Sequence, residues 1–268
     1  MTDVVTISGL TFQGDSYSEL TYSQLAGWDG VTDARGKGDS IPDRHGQYGG
    51  TDVLRESRAI SLKGAIIADS AERFFELKRM VENMPSIGEM RVDQGDGTWS
   101  RTIEVESITI PDFHLRTNAT FTIDMVAPDP VRYRDVTVLG PVGLPVLEGG
   151  LFLPESMPWD LGTDVRSVLT VVNEGTVPVY PVVRLSGSAS SVTVLGGPRR
   201  VAYGAFVGDL VFDAADRRAF LNGSDVTRQM TRRDWPVVPA GVTHEFTFEA
   251  VSPSPDFRMS VEYRIGAW

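Results

Sequence analysis

Cysteine is absent from this chain. Without it there is no disulfide framework, no thiolate metal site and no cysteine nucleophile, so the fold is held by packing and hydrogen bonds. Lysine is almost as scarce: Lys37, Lys63 and Lys78 are the only three, and the remaining basic residues are arginine. Arginine's planar fork of donors suits packed interfaces better than lysine's hydrated point charge does. Positive charge is short overall, with a net charge of −11. Divided after Asp135, the chain carries 14 basic against 22 acidic residues before the cut and 11 against 14 after it. Neither part has the basic excess that binding a phosphate backbone requires, and nucleic acid is not an expected partner.

Long apolar runs are missing too. None approaches the ~20 residues needed to cross a bilayer, and the N-terminus lacks a basic region followed by an apolar core, so neither a membrane nor export is expected. Histidine is limited to His45, His114 and His244. No two of them stand at metal-ligand spacing, and no Gly-x-Ser-x-Gly elbow accompanies them. Gly36-Lys37-Gly38-Asp39 lacks the downstream Gly-Lys-Ser/Thr of a phosphate loop, and Asp93 and Asp96 do not fit the ligand positions of a calcium loop. The sequence therefore predicts no enzyme, no cofactor and no metal.

What the sequence does contain is strand patterning. Val5, Ile7, Leu10 and Phe12 alternate around Gly9. The segment Arg58-Ala-Ile-Ser-Leu-Lys-Gly-Ala-Ile-Ile67 alternates again and leads into a predicted helix over 70–84. There Asp69 is the expected cap, with Glu72 reaching back to it, and Phe74, Leu77, Val81 and Met84 lie on one face. Pro85 stops the helix. A hairpin is predicted from Met90 through Gln94-Gly-Asp-Gly97 to Ile110, followed by a strand from Ala119 to Ala127. Between the first strands and Arg58, residues Gly27 to Gly50 hold seven glycines and few aliphatic residues. A segment of that composition cannot carry its own core. It is either a mobile surface loop or an arm that orders on a partner, with Trp28, Arg35, Lys37 and Tyr48 as the candidate contact residues.

The expected domains are residues 1–135, β-rich with one helix; a Pro/Gly-rich linker at 136–163; and an all-β sandwich at 164–268, its last strand able to pack back on the N-terminal domain. In the sandwich, short strands recur between turn residues. Asn173-Glu174-Gly175 is read as a turn using a residue able to hold positive φ, and Pro178 and Pro181 place the following strand at an edge or delay its entry into a sheet.

Several of these segments, in order, resemble the distal tail proteins of long-tailed phages, also known as minor tail proteins. They are Arg58 to Gly64 with the helix after it, Ala127-Pro-Asp-Pro-Val-Arg-Tyr133, and Asn173 to Thr176 with Tyr180-Pro181 and Leu185-Ser186-Gly187. Leu210 to Asp213, Arg218 to Gly223, Pro239-Ala-Gly241, Phe246-Thr-Phe248, Tyr263-Arg264 and Trp268 continue the series. The resemblance implies a mainly β chain whose N-terminal domain closes a homo-hexameric ring and whose C-terminal domain is a galectin-like β-sandwich. Such a ring is a structural virion component of the baseplate at the distal end of the tail, made in the host cytoplasm. The implied partners are the tail tube protein, the tail-tip hub protein and receptor-binding proteins. The alternative is a carbohydrate-binding module recognising a host cell-wall glycan, although the His-x-Asn and Trp-x-x-Glu residues of sugar-binding galectins are absent.

Overall fold

Alternation of buried and exposed residues along the N-terminal strands lets one sheet curl until its first and last members pair. A computed structural model describes residues 4–14, 18–35, 54–111, 117–144, 146–148, 163–165 and 167–268. By contact the chain divides into two compact units, residues 1–135 with 267–268, and residues 136–266.

The first unit contains β1 (Val4–Ile7), β2 (Leu10–Gln13), β3 (Leu20–Ala26), β4 (Arg58–Ile67), α1 (Ala71–Glu82), β5 (Ile87–Gln94), β6 (Gly97–Thr109), β7 (Asn118–Ala127) and the short β8 (Arg132–Tyr133). Strand order runs β6-β5-β1-β2-β3-β4-β7, and β7 pairs with β6, so seven strands close into a barrel. Closure removes the unpaired edges that an open sheet of this length would present. Strand β4 is the longest antiparallel partner of β7, in register from Arg58 opposite Ala127 to Ile67 opposite Asn118. Its inward positions are Arg58, Ile60, Leu62, Gly64 and Ile66. At Gly64 a Cβ would lie 2.1 Å from the Thr21 carbonyl oxygen and 2.5 Å from the Phe121 ring. Only glycine lets those chains approach so closely.

The predicted hairpin of β5 and β6 is present, with Gln94 paired to Gly97 across its turn. Ser8 and Gly9 both take positive φ, which forms the tight turn between β1 and β2. The helix buries Phe74, Leu77 and Val81, but its cap is Ser70 instead of Asp69. Ser70 has extended backbone and its hydroxyl accepts from the Arg73 amide at 3.2 Å. Glu72 is thereby the second helical residue and cannot close a capping box, which needs the third. Arg73 fastens the helix to the residue before β3, donating to both carboxylate oxygens of Glu19.

In the second unit the chain forms β9 (Thr137–Val142), β10 (Val146–Glu148), β11 (Thr163–Val165), β12 (Leu169–Val172), β13 (Val182–Ala189), β14 (Ser191–Gly196) and β15 (Arg199–Tyr203). It continues through β16 (Phe206–Asp213), β17 (Arg218–Leu221), β18 (Ser224–Asp225), β19 (Arg232–Arg233), β20 (Thr243–Val251) and β21 (Arg258–Tyr263). One sheet has the order β12-β20-β14-β15-β19 and another β18-β17-β16-β13-β21-β9. Val171, Val194 and Phe246 from the first and Leu185, Phe212 and Val261 from the second belong to a single buried cluster. Residues 137–142, read from sequence as the start of the linker, are a strand paired with β21.

The turn at Asn173 works differently from the sequence expectation. Neither Asn173 nor Gly175 holds positive φ. Instead the Asn173 side chain, 1% exposed, donates to the carbonyls of Val177, Val238 and Pro239 at 2.9, 3.0 and 3.1 Å and accepts from the Gly175 amide at 3.0 Å. Strand β13 begins immediately after Pro181 and is paired on both sides, so the prolines delay entry into a central strand.

Candidate functional site: the mouth of the barrel

Strand β3 ends and β4 begins at the same end of the barrel, and the glycine-rich segment leaves and returns there. Its first turn, Gly27 to Gly30, is fixed by Arg58, the first residue of β4. The Arg58 guanidinium donates to the carbonyls of Gly27 at 2.9 Å, Asp29 at 3.0 Å and Gly30 at 2.5 Å, with a longer contact to Trp28 at 3.4 Å. Arg101 on β6 also donates to the Trp28 carbonyl. Gly27 takes φ +78°, and a Cβ there would lie 2.1 Å from the Ala59 carbonyl oxygen, so the turn rests directly on β4.

The two limbs of the segment then run antiparallel. The Arg35 amide donates to the Leu54 carbonyl at 2.7 Å, the Glu56 amide to Asp33 at 3.1 Å, and the Arg55 guanidinium to Thr32 at 2.8 Å. Arg55 also lies over the ring of Trp268, 5.7 Å from its centre.

Of the four residues proposed from sequence as contacts, Trp28 is 2% exposed and carries the Arg101 guanidinium 4.5 Å from its ring centre. It is an anchor inside the unit, a correction to its reading as a surface contact: an indole next to a glycine turn can fold back into the barrel more favourably than it can stand in water. Arg35 is exposed at the root of the segment. Lys37 and Tyr48 lie outside the described residues.

The site is strongly cationic. Arg132 pairs with Asp29 at 2.7 Å and donates to Gln94 at 3.0 Å, while Arg132 and Arg134 each lie 4.8 Å from the ring centre of Trp99. Burial, then the charges of Arg58 and Arg132, push Arg101 down to about 9. Arg58 is lowered for the same reason, burial first and Arg132 second. The Nε atoms of Arg58, Arg101 and Arg132 make no hydrogen bond among the described residues. These arginines hold backbone carbonyls and aromatic rings. No nucleophile and base are brought together with them, and no group of His, Asp and Glu able to hold a metal occurs among the described residues. Of the three histidines only His244 is described, and it packs against Gly197 in the second unit. No helix among the described residues is long and apolar enough to cross a membrane.

Arg58, Arg101 and Arg132 were not singled out from sequence. Two of them left a trace there: Arg58 is in phase with Ile60 and Leu62, and Arg101 with Trp99 and Ile103, so each occupies an inward position of an alternating strand. A charged residue in that phase marks a buried polar fastening.

No family model matches the sequence, and no curated protein matches it either. Solved structures do match in fold. The crystal structure of the phage SPP1 Dit (gp 19.1) protein, described as a paradigm of the hub adsorption apparatus in phages infecting Gram-positive bacteria, aligns over 99% of both chains at 13% identity with a TM-score of 0.66. A chain of the phage P2 baseplate in its activated conformation with Ca aligns over 99% of this chain and 98% of that one at 8% identity, TM-score 0.55. The corresponding p2 baseplate structure with Sr gives 97% of both at 7% identity, TM-score 0.51. Along nearly its whole length this chain is therefore similar in fold to the SPP1 Dit protein, as the resemblance read from its sequence implied.

Proposed function

We propose that this chain is a structural tail protein, forming a ring that joins a phage tail tube to the tail-tip hub. The observation that carries the reading is the end-to-end likeness in fold to a phage hub protein and to baseplate chains. The closed barrel supports it, because a barrel without open edges offers a rigid block from which a ring can be built. In this reading the first unit forms the ring, the second is a galectin-like sandwich directed outward, and the segment from Gly27 to Gly50 orders on a neighbouring subunit or on the tube. Tube protein, hub protein and receptor-binding proteins are the partners.

Mixing the full chain with polymerised tail tube protein of the same phage tests the function. Tubes capped at one end in negative-stain images are expected. Bare tube ends, with the chain retained as a monomer on a cell-wall glycan array, would contradict the proposal and favour a glycan-binding module.

A further inference from the structure

The outer side of α1 carries an open groove of about 810 Å³ between the helix and the β1–β2 turn. Leu10, Phe75, Met80 and Pro85 line it, with Glu72 and Arg79 among its charged residues. Phe75 and Met80, both lining the groove, are 42% and 43% exposed. Neither Glu72 nor Arg79 forms an ion pair among the described residues, unlike their neighbour Arg73, which is held by Glu19 and Glu76.

The root of the glycine-rich segment has the complementary chemistry. Val31 and Leu54 are 58% and 66% exposed, and Asp33 and Arg35 stand beside them with no ion pair among the described residues. The backbone pairing of residues 33–35 with 54–56 places Asp33, Arg35 and Leu54 on one small, hydrogen-bonded platform, and Val31 lies two residues before it. The groove therefore offers apolar surface with one free acid and one free base, and the root offers apolar surface with one free base, Arg35, and two free acids, Asp33 and Glu56.

The two surfaces cannot meet within one copy. The root joins the start of β4 and the helix follows its end, and a strand of that length holds them about 30 Å apart. A surface at one end of a rigid barrel that fits a different surface at the other end makes a heterologous, head-to-tail contact, and repetition of such a contact generates a ring when the rotation between copies closes. Resting on the ring proposal above, we infer that the α1 groove receives the segment root of the next copy. Val31 and Leu54 pack on Phe75 and Met80, while Arg35 pairs with Glu72 and Asp33 with Arg79.

The absence of cysteine permits a clean test. A disulfide requires Cα atoms about 4.4–6.8 Å apart, so Leu54→Cys combined with Met80→Cys can be bridged only between copies. Mild oxidation of the full-length double variant is expected to give a covalent ladder on denaturing gels that collapses on reduction. Leu54→Cys combined with Thr102→Cys, a position on β6 outside the groove, is expected to give none. In parallel, Arg35→Glu and Glu72→Arg are each expected to weaken association about tenfold, and the two together to restore it. An oligomer of unchanged mass that yields no ladder, or a ladder as strong in the control pair, overturns this contact while leaving the ring reading intact. A monomer without a ladder, both alone and with tube and hub proteins present, overturns both.

Discussion

Replacing Arg58 by leucine tests the account of the barrel mouth. The substitution keeps an apolar stem in phase with Ile60 and Leu62 but leaves the carbonyls of Gly27, Asp29 and Gly30 without their donor. Hydrogen bonds to a charged group contribute roughly 1.5–3 kcal/mol each. The full sum is not realised: Gly27, Asp29 and Gly30 are exposed, so water recovers part of the loss, and the Trp28 carbonyl retains Arg101. Relief of repulsion with Arg132 and Arg101 offsets a further part. A net loss of about 3 kcal/mol remains, which lowers the melting temperature of the first unit by ~10 °C. Calorimetry should show that transition moving while the second unit's stays in place, and hydrogen exchange should show faster exchange at 27–35. Arg101→Leu is the control, because it removes one accepted bond together with a costly buried cation. Its effect should stay within about 1 kcal/mol of wild type. An unchanged melting temperature in Arg58→Leu, or a larger loss in Arg101→Leu, would refute the assignment of Arg58 as the main fastening.

Three further outcomes follow from the same contacts. Arg101 is held at about 9, whereas an unfolded arginine keeps its ordinary, higher value. Below pH 9 the folded state bears the full cost of the buried charge. Above it the unfolded state binds the extra proton and folding gains stability, so the advantage of Arg101→Met over wild type should shrink as pH rises from 8 to 10 in chemical denaturation. Asn173→Ala leaves the Val177 carbonyl and the Gly175 amide without their partner in a buried turn, while the Val238 and Pro239 carbonyls keep the Val179 and Val242 amides, and should cost about 2 kcal/mol, seen as a lower melting temperature confined to the second unit. Ser70→Ala removes the helix cap and should cost about 1 kcal/mol in urea unfolding, while Asp69→Ala should cost much less.

The sequence made most of the strands legible because one face of each is buried, and the period of two in Arg58 to Ile67 or Ala119 to Ala127 records that directly. The helix was legible from Phe74, Leu77 and Val81, and its start was misplaced by one residue because Asp69 and Ser70 are both good caps and only backbone geometry chooses between them. Closure of the barrel was not legible: the pairing of β6 with β7 on one side and β5 on the other is a long-range fact that no local pattern encodes. Trp28 was misread for a related reason. Its glycine-rich surroundings look solvated, and the residues that hold it, Arg58 on its carbonyl and Arg101 on its carbonyl and ring, lie 30 and 73 positions away. At Asn173 composition identified a turn, but whether backbone or side chain supplies the turn's bonds depends on Val238 and Pro239, far along the chain.

The central claim is assembly into a ring, and it is tested most directly by the mass of the full-length protein in solution, with negative-stain images of the same sample. The account predicts six copies of 29.3 kDa, about 176 kDa, seen end-on as a closed ring with an open channel. A 29.3 kDa monomer, both alone and in the presence of tube and hub proteins, would contradict it.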